Sequence, residues 1–359
     1  MNVTKALLVK LAKARARALQ SHDDATADEA TERLMDALTE LLELGIASEL
    51  VGRASDELGS DFQAVDSLHE LAQALVEEDG AGYVNEQGQR VSRLVLIPVS
   101  VTRRAPDAAY APRINDAAVS EIERLALLSL GAVGVAELKL SGFLYATPQL
   151  TQASYDQLYN LLPALQATDL TSEQLGTLRL EAQPLAVSPG HGAIRYLVGV
   201  LTSPAQIDAD FVLDEPGHLD VDRARVLPEQ GVALVSKALG EGWGCQHVME
   251  LAPFFEGVTM GEHFAREASF TMEVLRGLDA AGVSPRATLA HVSLPHGQEI
   301  DRVEVQLLGM DSVSVASAFW DILEPTDPDA ELVQLMNALE RVGVRTKPDA
   351  SIIQGYGTA

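Results

Sequence analysis

The apolar residues of this chain first change their period near residue 93, and that change bounds what the chain can fold into. Before it they recur at helical spacing; after it runs of strand-like alternation appear. Val3, Leu7, Leu11, Ala14 and Ala18 form one stripe, and Ala27, Ala30, Leu34, Leu38, Leu41 and Leu42 a second. A third runs from Ile46 through Leu50, Val51 and Ala54 to Leu58, and a fourth from Phe62 through Val65, Leu68, Leu71 and Leu75 to Val76. Gly45, Gly59 and Gly80 stand where left-handed residues close helices. Thr26 with Glu29, and Ser60 with Gln63, have capping-box spacing. The pattern predicts a helical region over residues 1–80, a hairpin stack or small bundle, and a turn-rich linker over 81–92.

Beyond the linker, LVLIPVSVT (residues 94–102) reads as a strand. Pro98 removes a ladder donor, so the strand is expected at an edge or with a bulge. A helix over 115–130, a strand over 137–146, a helix over 154–165 opened by Ser154 and Gln157, and strands over 178–187 and 194–202 follow. A similar order then recurs: a helix over 229–239, a strand over 247–251, and a long helix opened by Thr259 and Glu262 and closed at Gly282. Strands over 287–294, 302–308 and 313–322 come next, then a helix with Asp327 as N-cap, Pro328 first and Gly343 past its end.

The pattern V-S-x-x-H-G occurs twice, ending in His191-Gly192 and His296-Gly297, before apolar runs. The fold expected is α+β: an N-terminal helical region followed by two related α/β repeats, at 93–203 and 204–359, with mainly antiparallel sheet. Val303, Val305 and Leu307 alternate with Arg302, Glu304 and Gln306, which predicts a sheet with one solvated and one helix-covered face.

The order of a helical N-terminus containing LMDALTELLELGIASEL (34–50), then LVLIPVSVT, FLYATPQL (143–150) and IRYLVGVL (194–201), resembles an uncharacterised bacterial family known only as a domain of unknown function. The resemblance would span most of the chain. It implies no activity, cofactor or site.

Charge narrows the function. Fifty-two acidic against 26 basic residues give a net charge of −26, which excludes a general nucleic-acid binder. The first twenty residues run the other way, with Lys5, Lys10, Lys13, Arg15 and Arg17 and no acid. They read as a helix docked on the chain's own acidic body, with a basic arm for an anionic partner or membrane surface as the alternative. The longest apolar run, residues 125–136, is too short to span a bilayer, and no apolar block with a cleavage site follows the basic start. The single cysteine, Cys245, excludes an intrachain disulfide and a multi-cysteine zinc site and fits a reducing, cytoplasmic setting.

The chain lacks a P-loop and a G-x-S-x-G elbow. Gly240-Glu241-Gly242-Trp243-Gly244 follows a helix and reads as its stop. Cys245 and His247 form C-x-H, two positions that share a face on a regular strand and so suit a nucleophile and base or two metal ligands; a buried thiol beside a structural histidine is the plainer reading. Glu262, His263 and Glu267 share one helix start, where a cap and a surface ion pair are expected. Asp208, Asp210 and Asp214 lie in an acidic stretch that fits a weak calcium site or a solvated loop, without EF-hand spacing. His191 and His296 fit either turn chemistry or a shared cleft between repeats.

The function expected is that of a non-catalytic, acidic cytoplasmic protein acting through a protein partner, a basic one by charge, with no cofactor. An enzyme using the cleft between the repeats is the alternative, and an acidic nucleic-acid mimic ranks third.

Overall fold

The computed structural model describes residues 3–21, 24–77, 90–104, 114–167, 192–204, 221–293, 302–310, 312–323 and 328–346. The chain divides into two compact units, residues 1–259 and 260–359. The division therefore falls beyond residue 203, because the helical region, the first sheet and the strand at 243–248 share one unit.

The first unit opens with α1 (Lys5–Ser21), α2 (Asp24–Leu44), α3 (Ala47–Leu58) and α4 (Phe62–Glu77). Their stripes meet as periodicity predicts: Leu8, Ala12, Leu34, Leu38, Leu41, Ala54 and Leu68 are buried together in a helical layer. The basic first helix docks on this layer. Arg15 is buried and donates to Thr31 Oγ1, the Ser67 carbonyl and Glu70, and Lys5 pairs with Glu57. Gly45 and Gly59 take positive φ at the two following turns, which frees the helices to reverse without a Cβ clash.

An antiparallel sheet follows, from β1 (Arg90–Arg103), β2 (Glu137–Tyr145), β3 (Gly192–Pro204), β4 (Trp243–Val248) and the two-residue β5 (Ala252–Pro253), in the order β2-β3-β1-β4 with β5 also on β1. One face, carrying Val95, Ile97, Val99 and Leu197, packs on α5 (Asp116–Ser129) and α8 (Val226–Leu239). The alternate residues, Leu94, Leu96 and Tyr196, are buried towards the helical layer, which also holds α6 (Thr147–Thr151), α7 (Tyr155–Ala167) and the first turns of α9 (Phe254–Ala280). Helices thus cover both faces of this sheet.

β1 lies inside the sheet rather than at an edge. Pro98 is tolerated because the neighbouring strand is broken there: β4 pairs with Val99–Arg103, β5 with Val95 and Leu96, and the Pro98 carbonyl takes the Met249 N–H at 2.9 Å in the gap. The missing donor faces a position with no ladder bond to make. Gly199 of β3 admits the bulged β2, since a Cβ would stand 2.4 Å from the Lys139 carbonyl oxygen.

The second unit holds the rest of α9, β6 (Leu289–Ser293), β7 (Arg302–Leu308), β8 (Ser314–Asp321), α10 (Pro328–Arg341) and β9 (Arg345–Thr346). Its sheet runs β8-β7-β6-β9, antiparallel except for β6 with β9. Val303, Val305 and Leu307 are fully buried with Phe270, Val274, Trp320 and Leu335, while Arg302, Glu304 and Gln306 lie on the open face, as alternation predicts.

The chain is α+β with a helical N-terminal region. The expected repeat of its two halves is not reproduced: β2 and β3 pair within one sheet, whereas β4 joins that same sheet and β6 and β7 build another. Local similarity of two turn motifs does not determine which sheet a strand enters. The strand expected at 178–187 and most of both V-S-x-x-H-G motifs lie outside the described residues.

Candidate ligand site

Of the residues singled out from sequence, His191, His296, Asp208, Asp210 and Asp214 lie outside the described residues. Cys245 and His247 lie on β4 and do not share a face. The β1–β4 register slips between Ser100 and Val101, so Gln246 is an extra residue on β4. A bulge of this kind turns the following side chain over. Cys245 is buried in the core and its Sγ donates to the His247 carbonyl at 3.3 Å, while the His247 imidazole is exposed. Burial pushes the thiol up to about 12. The pair is not arranged as a nucleophile with its base.

In the second unit, Glu267 pairs with Arg341, and Glu262 is held above the usual carboxylate range by burial, partly offset by His263. Thr259 does not cap this helix, which already begins at Phe254. The cap comes from elsewhere: the Phe255 N–H donates to Glu77 at 2.6 Å. Among the described residues, no group of three or more His, Cys, Asp or Glu is placed to hold a metal ion, and no helix is long and apolar enough to cross a membrane.

The structure instead brings together residues far apart in sequence. A cavity of about 740 Å³ opens in the helical layer of the first unit, among α3, α4, the α6–α7 turn and the start of α9. Val51, Leu150, Phe254 and Val258 give it apolar walls, and His69, Gln73 and Tyr155 supply polar groups. Its geometry follows from two long-range caps. The Asp156 carboxylate accepts from the Ala47 and Ser48 N–H groups at 2.8 and 3.0 Å, closing the N-terminus of α3, where Ile46 provides no side-chain cap. Glu77 does the same for α9. Carboxylates satisfy orphan donors and the positive end of each helix dipole. Ser154 and Gln157 form the capping box read from sequence: Ser154 N–H donates to Gln157 Oε1 at 2.8 Å and Gln157 N–H to Ser154 Oγ at 3.2 Å. Tyr155 is thereby fixed at the first position of α7.

Tyr155, His69 and Ser55 form a chain. The Tyr155 hydroxyl is 2.7 Å from His69 Nδ1, and His69 Nε2 is 2.8 Å from Ser55 Oγ. Ser55 donates its one proton to the Val51 carbonyl at 3.0 Å, so it accepts from His69 Nε2–H, and Nδ1 accepts from Tyr155. Burial lowers the His69 pKa below its ordinary value, more than nearby Asp66 raises it, which favours the neutral ring this network requires. Burial also pushes the Tyr155 phenol up to about 12.

The chain has the atoms of a nucleophile, base and orienting group, but its protons run the wrong way. His69 donates to Ser55 and so cannot accept its proton, and Ser55 sits mid-helix, away from the cavity lining. No family model, curated protein or solved structure matches this chain. The reading of function therefore rests on the site itself.

His69 and Tyr155 are not legible as site residues in the sequence, because each looks like an ordinary residue of an amphipathic helix. Their partnership spans 86 positions, and the nearest sequence signal was the Ser154–Gln157 cap that holds Tyr155 in place.

Proposed function

We propose that the protein is a non-catalytic binding protein and that the helical-layer cavity of its first unit seats a small, largely apolar ligand. The observation that carries this is the Tyr155–His69–Ser55 chain beside apolar walls: polar side chains are pre-positioned, and both histidine nitrogens are occupied, Nδ1 by the phenol and Nε2 by Ser55, rather than free for chemistry. A pre-formed apolar cleft with a few convergent polar groups is the usual form of a small-molecule site.

Gly52 provides the test. It lines the cavity from within α3, and a Cβ there meets nothing within 4 Å. Gly52→Trp removes a helix-interior glycine, so the fold is expected to persist. The neutral dye Nile red is expected to bind the native chain with enhanced emission and to lose most of that signal in Gly52→Trp. Equal emission from both would overturn the reading.

A protein partner is the second reading, favoured by one observation in the second unit. Among the described residues β8 pairs only with β7, its length from Ser314 to Trp320 carries no charge, and Phe319 is exposed on it. An edge of this kind accepts another strand. Ser317→Lys at this edge is expected to abolish capture of a partner; retained capture would remove the reading.

A further inference from the structure

We infer that the cavity takes an organic cation, an ammonium group carried on an apolar body. The inference rests on the cavity being a ligand site and adds the ligand's charge. Aromatic residues make up only 5% of the chain, yet Phe254, Phe255, Tyr155 and the His69 ring line this one cavity in succession. Phe254 and Phe255 meet edge to face with centroids 5.2 Å apart, Phe255 and Tyr155 lie 6.1 Å apart at 59°, and Tyr155 and His69 lie 6.1 Å apart at 44°. Rings set at changing angles present their electron-rich faces in several directions, as recognition of an ammonium group uses.

The charges agree. Among the described residues no lysine or arginine lines the cavity, and its one acidic lining residue is Glu256. Two helix N-termini, those of α3 and α9, border it and would otherwise attract an anion. Both are filled by the protein's own carboxylates, Asp156 on Ala47 and Ser48, and Glu77 on Phe255. An anionic ligand would find both of these helix N-termini already occupied and no basic side chain in the lining. A cation finds aromatic walls and the exposed carboxyl group of Glu256 in the lining.

The full chain is titrated calorimetrically with three probes sharing one apolar tail: hexyltrimethylammonium, hexan-1-ol and hexanoate. The ammonium is expected to bind about tenfold more tightly than the alcohol, and hexanoate most weakly. Glu256→Gln and Phe255→Leu, each checked for unchanged thermal unfolding, are expected to narrow the gap between ammonium and alcohol. Equal affinity for ammonium and alcohol, both lost in Gly52→Trp, would overturn the cation inference and leave the cavity reading standing. Binding of none of the three, or binding unaffected by Gly52→Trp, would overturn both.

Discussion

Glu331 and Arg266 form an ion pair closed off from water: Glu331 Oε2 lies 2.5 Å from Arg266 Nη1, with the two side chains 1% and 4% exposed. The same oxygen accepts from Trp320 Nε1 at 2.9 Å, and Oε1 accepts from the Leu323 N–H. Arg266 also donates to the Asp321 carbonyl and to Gln334, with its guanidinium 4.2 Å from the Trp320 ring centre. The pair joins α9, α10 and the end of β8 through charges whose desolvation is offset by hydrogen bonds.

Glu331→Ala is therefore expected to cost the second unit about 3–5 kcal/mol, because it strands a buried guanidinium. Hydrogen exchange of β7 and β8 measures this without assuming that the whole chain unfolds in one step. Replacing both partners, as Arg266→Met with Glu331→Leu, should recover much of the loss. A single-variant cost below about 1 kcal/mol would show that the pair contributes little.

His69 makes the first unit sensitive to acid. Its folded pKa lies below the ordinary 6.5, so the unfolded chain binds the proton more readily. Its contribution to stability is thus fully present above 6.5 and is lost as the pH falls from there through the lowered folded value. Protonation would also end the Tyr155-to-His69 bond as it stands, because Nδ1 would become a donor and the phenol would have to turn its proton away to accept from it. Tyr155→Phe should cost about 1–3 kcal/mol at pH 7.5 by leaving Nδ1 unpaired, and the cost should shrink below pH 6. Thermal unfolding across that range tests both; a pH-independent difference between native and variant chains would count against the assigned tautomer.

Much of the fold is legible in local chemistry. The Ser154–Gln157 box, the positive-φ glycines at 45, 59, 240, 282 and 343, and the Val303-Val305-Leu307 ladder each follow from a few neighbouring residues. What was not legible depends on partners far along the chain. The start of α9 is set by Glu77, 178 positions from Phe255, so the sequence placed that start at Thr259 instead. Pro98 sits in an interior strand because its neighbour happens to be interrupted there. Arg15 belongs to a visibly basic helix, yet it is the basic residue that the fold buries, on Thr31, Ser67 and Glu70. The cavity is the same case: its walls come from five helices, and the one local motif among them, the Ser154–Gln157 box, says nothing of a ligand.

Asp156 holds α7 against α3 through two main-chain donors, so its removal should loosen the cavity as well as the helix. Asp156→Ala is expected to cost about 1–2 kcal/mol, and Asp156→Asn, which keeps an acceptor but not the charge, less than that. Urea unfolding of the first unit separates the two. If Asn is as damaging as Ala, the charge and the second acceptor oxygen together outweigh the one hydrogen bond that Asn keeps; if neither variant matters, α3 does not depend on α7 for its cap.

Cys245 should be inert in the folded chain, for a reason that the bulge makes specific. On a regular β4 its side chain and that of His247 would lie together, and a neutral imidazole beside a thiol would raise the thiolate fraction. With Gln246 inserted, the thiol turns into the core and meets only the His247 carbonyl, and burial lifts its pKa to about 12. Relative to an unperturbed thiol near 8.5, that lowers the thiolate population at pH 8 by about a thousandfold. Iodoacetamide is therefore expected to label the native chain far more slowly than a short cysteine peptide, with labelling accelerating as urea opens the first unit. His247→Ala should leave the native rate unchanged. Peptide-like labelling that falls in His247→Ala would mean that the imidazole reaches the sulfur and that β4 is not bulged at Gln246.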